Sequence, residues 1–332
     1  MILIFGRLDD PPLSSAVDAL QERGAEYVIL EQSALDTEDV FLEVNSSGIE
    51  GVLVAAGQEH PLSSVHSIYA RPLELPSRLT DMARAQALQN HLLEWLDVSP
   101  ALVVNRPRAM RSNASKPLQI QLIGDAGFLV PETLVTNDAG EARAFWREHG
   151  RVIYKSISGV RSIVQELDER AAERLARLSA LPVQFQAFVP GIDVRVHVVG
   201  DRTFAAEISA AGIDYRYSSR QGGSVAMTAI ELPLHVAARC VNVSRLMELP
   251  LSGIDLRRRP DGEYVCLEVN PMPAYVYFEG QTGLPIGEAL AELLLNGVTA
   301  PHEAIHATSD RESDLAGGNH RVAAAASAAA GL

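Results

Sequence analysis

The chain has 332 residues, enough for two or three compact units with a sizeable hydrophobic core. Its formal net charge of −14 argues against non-specific binding to nucleic acids or anionic membranes, because their phosphates would repel the protein. Cys240 and Cys266 do not form a metal-type cluster, and they predict reduced thiols in a cytoplasmic protein. No apolar run is long enough to span a membrane, and the apolar N-terminus is too short for a signal-peptide core.

Residues 1–104 alternate between strand and helix patterns, and this alternation predicts a small α/β domain. Gly6 follows the first strand, but no GxGxxG pattern continues from it, so we reject a dinucleotide-binding loop. Arg71 follows the strand predicted at 65–69, and from the sequence alone a structural role is predicted for it. Strands are predicted at 2–5, 27–30, 41–44, 52–55 and 65–69, and helices at 14–23 and 78–96.

The middle of the chain contains two lysines at the ends of predicted elements. Lys116 precedes a helix predicted at 118–124, and taken alone it is more typical of a solvated lysine at a helix start. Lys155 lies on an apolar strand, where a charged side chain is costly unless it is paired. A phosphate is a natural partner for such a lysine.

Two further strands follow in the second half of the chain. An apolar strand at 182–189 ends at a Pro-Gly pair, and an alternating strand then runs from Asp193 to 199. Asp193, Arg195 and His197 share one face of that strand. His197 is more typical of a satisfied strand histidine than of a catalytic base.

A hairpin near the C-terminal end carries three oxygen ligands. Its second strand has a period of two, with Val265, Leu267 and Val269 alternating with Cys266, Glu268 and Asn270. Asp255 lies on the preceding strand, across a turn at 259–263, so three polar side chains converge on one sheet face. Such hard oxygen ligands, with room for water and phosphate, suit Mg²⁺. An edge hairpin with polar residues facing solvent is the alternative.

These motifs resemble the ATP-grasp superfamily, and within it the RimK-like branch. The resemblance runs from about residue 105 to about residue 295 and is carried by GID at 253–255, LEVNP at 267–271 and FEGQTGLPI at 278–286. It implies a mixed α/β and α+β protein with the ATP-grasp fold and an N-terminal α/β domain. The predicted units are 1–104, a middle lobe at 105–185, a C-terminal lobe at 186–300 and a disordered Ala-rich tail at 301–332.

The resemblance also implies roles for individual residues. Asp255, Glu268 and Asn270 would hold two Mg²⁺ ions that bridge the phosphates of ATP and share the carboxylate of Glu268. The residues assigned to the nucleotide are Lys116 and Lys155 at the phosphates, Gln186, Ala187, Phe188 and Val189 at the adenine, and Asp193 at the ribose.

Within this branch the sequence is most similar to the microviridin-type, or graspetide, peptide ligases. They share a reduced glycine loop, represented here by Gly159 alone, and an Asp-Tyr-Arg element that contains Arg216. The resemblance implies that Arg195 faces phosphate or an acyl-phosphate, and that Arg216 holds the substrate carboxylate in its guanidinium fork. Arg220 is a second candidate for catalysis. Arg71 lies in an element similar to the family's Tyr-Arg-Arg-Pro and is a further substrate candidate.

The implied reaction is ADP-forming ligation, in which a carboxylate becomes an acyl-phosphate that an amine or hydroxyl then attacks. The leading hypothesis is cross-linking of side chains within a ribosomal precursor peptide. Addition of an amino acid to a protein or small acid, in the manner of RimK or glutathione synthetase, is the alternative, and a degenerate nucleotide- or peptide-binding module is a second. The family also makes a homodimer possible, whereas substrate identity, ester or amide product and ring connectivity stay open. An HExxH pattern at 302–306 lacks the stable helix and third ligand of a zinc site.

Overall fold

The structure is a computed structural model that describes residues 1–46, 48–156, 164–210 and 225–297. The candidates Arg216 and Arg220, together with Gly159 and the tail at 301–332, lie outside the described residues. In the part of the chain that is described, no helix is long and apolar enough to cross a membrane.

The N-terminal region is built on a parallel four-stranded sheet in the order β2-β1-β6-β7. All five residues of β1 are buried, as the continuous apolar run Ile-Leu-Ile-Phe predicts for a parallel strand covered on both faces. The sheet strands are Ile2–Gly6 (β1), Tyr27–Glu31 (β2), Ser67–Arg71 (β6) and Leu102–Val104 (β7), and a separate antiparallel sheet contains Asp39–Asn45 (β3), Gly48–Ala55 (β4) and Gln58–Pro61 (β5).

The N-terminal region also contains helices α1 and α2. Helix α1 (Pro11–Glu22) begins at a proline, which is suited to the first helical turn because its missing N–H would be unsatisfied there. Helix α2 (Met82–Val98) begins four residues later than the predicted residue 78. The carboxylate of Asp81 accepts a hydrogen bond from Arg84 N at 2.9 Å, and this N-cap sets the start of the helix.

The middle region contains a four-stranded antiparallel sheet in the order β10-β9-β11-β8. The ladder of β8 begins at Thr133, and Leu129, which precedes it, makes a single isolated bridge to Val265. The elements are Pro107–Met110 (α3), Lys116–Asp125 (α4), Thr133–Thr136 (β8), Ala139–His149 (α5), Val152–Ser156 (β9), Gln165–Glu166 (β10), Glu169–Glu173 (α6), the 3₁₀ helix Arg174–Ala180 and Val183–Ala187 (β11).

A five-stranded antiparallel sheet forms the C-terminal region, in the order β14-β13-β12-β15-β16. Its first strand in chain order, β12, begins one residue before the predicted residue 193 and ends at the predicted residue 199. The turn predicted at 259–263 lies between the two hairpin strands. The elements are Ile192–Val199 (β12), Arg202–Ala210 (β13), Val225–Ile230 (β14), Leu234–Leu246 (α7), Leu251–Arg258 (β15), Tyr264–Asn270 (β16), Val276–Thr282 (α8) and Ile286–Asn296 (α9).

The hairpin differs from strict alternation at one point. Asp255 pairs with Glu268, whereas Leu256 pairs with Cys266, so Leu267 is an extra residue in a β-bulge. The expected alternation of Val265, Leu267 and Val269 is therefore wrong. Cys266 and Val269 both lie in the core beneath the sheet, and the bulge reverses the pattern between them. As a result Cys266 points away from the face that carries Glu268.

The hydrophobic cores cross the predicted unit boundaries. One core contains β1 and α1 side chains together with Phe204, Leu251, Phe278 and Leu290 from the C-terminal region. A separate core lies between the middle sheet and helices α5 and α6. The N-terminal and C-terminal regions are thus packed together, whereas the middle sheet has apolar packing of its own.

Candidate active site

The hairpin brings three oxygen-bearing side chains to one face. Asp255 on β15 is the cross-strand partner of Glu268 on β16, and Gly253 is the partner of Asn270. Directly opposed residues on antiparallel strands have Cβ atoms about 5 Å apart, close enough for two carboxylates to share a cation. The convergence predicted for Asp255, Glu268 and Asn270 is therefore present in the structure.

Each carboxylate contacts a buried cation from another element. Lys116 Nζ, at the start of α4, donates a hydrogen bond to Glu268 Oε1 and another to Asn113 Oδ1 at 3.2 Å. Arg195 NH1, on β12, donates to Asp255 Oδ1 at 2.9 Å. The lysine and arginine side chains are both 6% exposed. The structure thus joins two predicted phosphate-facing residues to two predicted metal ligands.

Helix α4 is attached to the edge of β16 by Gln119, a residue that the sequence analysis did not single out. Its Nε2 donates to Val269 O at 2.8 Å, and its Oε1 accepts from Val269 N at 3.2 Å. Gln119 therefore pairs with the edge strand as a neighbouring strand would. Because Lys116 precedes it by three residues on the same helix face, this pairing sets Lys116 beside Glu268. No pattern in the sequence pointed to this role, because the partner of Gln119 on β16 is 150 residues away.

Arg195 lies against a glycine on the neighbouring strand. A Cβ atom built on Gly253 would overlap the Arg195 guanidinium, reaching 2.6 Å from its Cζ and 2.8 Å from Pro273 Cβ. Arg195 Nε also donates to His197 Nε2 at 3.5 Å, and the guanidinium carbon lies 5.6 Å from the centre of the Phe278 ring. The guanidinium is thus confined between β15, the loop after β16 and an aromatic ring.

His197 is a buried neutral partner of this arginine. Only 1% of its surface is exposed. Burial lowers the pKa of the imidazole well below its usual value, and the charge of Arg195 lowers it further. A neutral ring can accept the hydrogen bond from Arg195, and it supplies no proton at neutral pH. These contacts agree with the prediction that His197 is a strand histidine with a hydrogen-bond partner and not a catalytic base.

The predicted nucleotide residues of the middle sheet share a polar face. Lys155 on β9 pairs with Gln184 on β11, so their side chains are neighbours on the face opposite the core that contains Phe185. Lys155 is buried, with 8% of its surface exposed. Gln186 lies on the same face and donates from Nε2 to Thr133 Oγ1 at 3.2 Å.

The predicted adenine segment has part of its backbone already engaged. Ala187 N donates to Glu132 O and Phe188 N donates to Arg151 O, both at 2.9 Å. The carbonyl of Val189 accepts from Arg257 NH1 at 3.2 Å, and Asp193 forms an ion pair with the same arginine at 2.7 Å. Arg257 thus joins the adenine segment to the predicted ribose residue.

Arg71 is buried rather than open to solvent. It is 4% exposed, and its Nε donates to Asp10 Oδ2 at 2.5 Å. Its NH1 donates to Pro273 O at 3.2 Å, in the loop that follows Asn270. The structure brings Arg71 to the loop that follows Asn270, and these contacts were not predicted from the sequence.

The donor set is suited to magnesium. Two carboxylates and an amide oxygen are hard ligands, and their small number leaves positions for phosphate oxygens. Among the described residues, no group of three or more His, Cys, Asp and Glu side chains has the spacing of a metal site. Three oxygen ligands fit an ion that completes its coordination with water or with oxygens of a bound molecule.

Comparison with known proteins identifies related chains. A family model described as RimK-like ATP-grasp domain matches residues 114–294, more than half of the chain, and the match includes Lys116 and the hairpin. A Teredinibacter turnerae protein named "Probable alpha-L-glutamate ligase" is 28% identical over 214 residues, which cover 61% of this chain and 70% of that protein. For a Xanthomonas oryzae protein of the same name, the chain spans only 48% of the relative.

Solved structures resemble a larger share of the chain. The ATP-grasp ligase PsnB, solved with a phosphomimetic variant of its minimal precursor, Mg and ADP, has a TM-score of 0.74 and is 29% identical. The match covers 89% of this chain and 98% of PsnB. The macrocyclase MdnC from Microcystis aeruginosa, solved with precursor peptide MdnA, has a TM-score of 0.73 over 89% of this chain and 99% of its own. At 20% identity, the likeness to MdnC concerns the fold.

Proposed function

Because the chain belongs to the RimK-like ATP-grasp family, we propose that it ligates a peptide carboxylate to an amine or hydroxyl, with formation of ADP. The carboxylate is first phosphorylated to an acyl-phosphate, and the amine or hydroxyl then displaces phosphate to give an amide or ester. The observation that carries the proposal is the convergence of Asp255, Glu268 and Asn270 with the cations of Lys116 and Arg195 on one sheet face.

ATP supplies the phosphoryl group, and two Mg²⁺ ions neutralise its charge when they are bound. Asp255, Glu268 and Asn270 would hold the ions, with the Glu268 carboxylate shared between them. The Lys116 amine lies at Glu268 and is available to transfer its contact to a phosphate oxygen. Arg195 is held at Asp255 by buried neighbours, so its charge would be in place beside the reacting group before substrate binds.

The nucleotide would lie between the polar face of the middle sheet and this hairpin. Lys155 then meets phosphate, and Gln186 supports the purine. Since the N–H groups of Ala187 and Phe188 already donate to protein carbonyls, the purine edge is left to the N–H of Val189 and to carbonyls of the segment. Asp193, oriented by Arg257, would accept from the ribose hydroxyls.

A peptide is the substrate that the relatives support best. PsnB, which is 29% identical, was solved with a variant of its minimal precursor. We therefore propose cross-linking of Asp or Glu side chains to Lys, Ser or Thr within a ribosomal precursor, with Arg216 at the carboxylate and Arg220 as a further contact. We also propose a cytoplasmic location, as in the sequence-based prediction, and the oligomeric state stays open.

A second candidate function is addition of glutamate to a protein or small acid. The name of the Teredinibacter turnerae relative favours it. A non-catalytic binding module is less well supported, because the lysines at 116 and 155 and all three oxygen ligands are present. The candidates differ in product: an internal bond removes one water from the peptide, whereas addition of an amino acid raises its mass.

The test is the intact mass of a precursor peptide after incubation with the protein, ATP and Mg²⁺. We expect loss of one water per bond, with one ADP released for each. A gain equal to one residue would instead favour glutamate addition. Glu268→Gln, which keeps the side-chain shape and removes the charge, is expected to abolish ADP release. If this variant turned over ATP as the wild type does, the magnesium assignment would be wrong.

A further inference from the structure

The loop that follows Asn270 is held by residues from the opposite end of the chain. Asn270 Oδ1 accepts a hydrogen bond from Met272 N at 2.8 Å, so the orientation of this amide depends on the backbone just after it. Whatever fixes residues 271–273 therefore also fixes the proposed metal-binding oxygen.

Asn105 holds the first residue of this loop. It is 3% exposed, and its Nδ2 donates to Pro271 O and to Leu251 O, the latter at 2.7 Å. Its Oδ1 accepts from Leu251 N at 3.2 Å. One buried amide thus joins the end of β16 to the start of β15, the two strands that carry the proposed ligands.

Arg71 holds the third residue of the loop. Its guanidinium donates to Pro273 O at 3.2 Å and is itself oriented by Asp10, with which it forms a buried ion pair. Two residues further on, Tyr275 Oη donates to Pro12 O at 2.7 Å. Pro273 in turn packs beside Gly253, where the Arg195 guanidinium lies. The loop therefore connects Arg71 to both the Asn270 amide and Arg195.

We propose that Arg71 and Asn105 are positioning residues for the metal site: they fix the loop at 271–273 and thereby the amide of Asn270. This inference rests on the proposed function and takes the structural one of the two roles predicted for Arg71. Partners of metal ligands orient the ligand atoms, and their loss typically weakens metal binding by about 10- to 100-fold.

The test compares Arg71→Met with Arg84→Met. Arg84 forms the same two kinds of bond, to the carboxylate of Asp39 and to the carbonyls of Asp36 and Glu38. These bonds hold helix α2 and do not involve the loop at 271–273. Because Arg71→Met leaves Asp10 as an unpaired buried charge, the double variant Asp10→Asn/Arg71→Met is made beside it. Asn105→Ala removes the hydrogen bond to Pro271 O, the second contact that holds the loop.

Two measurements are made on each variant. Hydrogen exchange of the peptide 266–275 in the protein without nucleotide or metal reports on the loop itself. Mn²⁺ binding in the presence of ADP, followed by electron paramagnetic resonance, reports on the ion site. We expect the Arg71 and Asn105 variants to exchange faster at 266–275 and to bind Mn²⁺ about 10-fold more weakly, with Arg84→Met unchanged in both.

Unchanged exchange at 266–275 in the Arg71 variants would overturn the inference. So would a raised KM for the precursor peptide with unchanged Mn²⁺ affinity, since Arg71 would then contact substrate. If the wild-type protein bound no Mn²⁺ with ADP, the proposed function would fail, and the exchange measurement alone would decide whether Arg71 and Asn105 fix the loop.

Discussion

Gly253 controls where Arg195 can lie. Its missing Cβ leaves the space that the guanidinium occupies, so Gly253→Ala must displace Arg195 from Asp255. A shift of about 1 Å in a reacting group can cost about 100-fold in rate, and we expect a fall of this size in kcat for ligation. The KM for ATP should change little, because Gly253 does not lie among the predicted adenine and ribose residues.

A matched control for this variant is Gly124→Ala. Gly124 lies in α4, and a Cβ atom built there meets nothing within 4 Å. Its ligation kinetics should equal those of the wild type. A Gly253→Ala protein with wild-type kcat would show that Arg195 takes no part in the slow step.

In the protein without nucleotide, the Lys116 ammonium contacts Glu268, where a metal ion is proposed to bind. Its removal by Lys116→Met should therefore strengthen binding of Mn²⁺ alone, because a unit charge a few Å away costs an incoming cation more than about 1 kcal/mol. We expect about tenfold tighter Mn²⁺ binding without nucleotide and a raised KM for ATP. Electron paramagnetic resonance measures the first effect and steady-state kinetics the second.

The charge-conserving variant Lys116→Arg separates charge from shape. It should bind Mn²⁺ alone as weakly as the wild type does. Mn²⁺ binding by Lys116→Met that was weaker than in the wild type would mean that the lysine supports the ion site directly.

Residue types were easier to predict than residue surroundings. The convergence of Asp255, Glu268 and Asn270 was predicted because a hairpin places alternate residues of its two strands on one face. Gly253 and Gln119 did not, because a glycine in a strand and a glutamine in a helix acquire their roles only from what the fold brings next to them. Arg71 shows the same limit, since its partners Asp10 and Pro273 are remote in sequence.

At the scale of elements, local patterns predicted the strands and helices with the strongest periodicity. The predicted hairpin is present, but its bulge at Leu267 was not foreseen, because a bulge depends on pairing between strands and not on either strand alone. Helix α5 was missed, although Asp138 and Glu141 have the spacing of a helix start, and Asp138 does cap Gly140 and Glu141. The ATP-grasp fold class, predicted from the motifs, is confirmed by the family match and by PsnB.

Strand β12 contains a histidine whose protonation should oppose folding. Because the pKa of His197 is lowered in the folded protein, the unfolded chain binds the proton first as the pH falls below about 6.5. Stability is then lost on acidification, with a slope that approaches about 1.4 kcal/mol per pH unit. In His197→Gln this contribution is absent.

Urea unfolding across about pH 5 to 7.5 measures the effect as the difference in unfolding free energy between wild type and variant. As the pH falls below about 6.5, the unfolding free energy of the wild type should decrease relative to that of His197→Gln. His91→Gln is the control, because the His91 side chain is 64% exposed. Parallel stability curves for the wild type and His197→Gln would contradict a neutral buried ring.

At the scale of the whole molecule, the site depends on packing between distant parts of the chain. The core that supports β12 and β15 from one side is shared with β1 and α1 of the N-terminal region. Asn105, Arg71 and Tyr275 add polar contacts across the same junction. The N-terminal region is therefore part of the support of the candidate active site, which the predicted boundary at residue 104 did not suggest.

This shared core predicts how local damage spreads. Leu290 on α9 is fully buried in it, and Leu290→Ala should cost about 2 to 5 kcal/mol. Because β1 side chains line the same core, hydrogen exchange should rise in β1 as well as in α9. Leu175→Ala, in the separate core of the middle sheet, should raise exchange in β11 and leave β1 as it is. Exchange confined to α9 in Leu290→Ala would mean that the N-terminal region opens independently, and its contacts to residues 271–275 could not then fix the metal site.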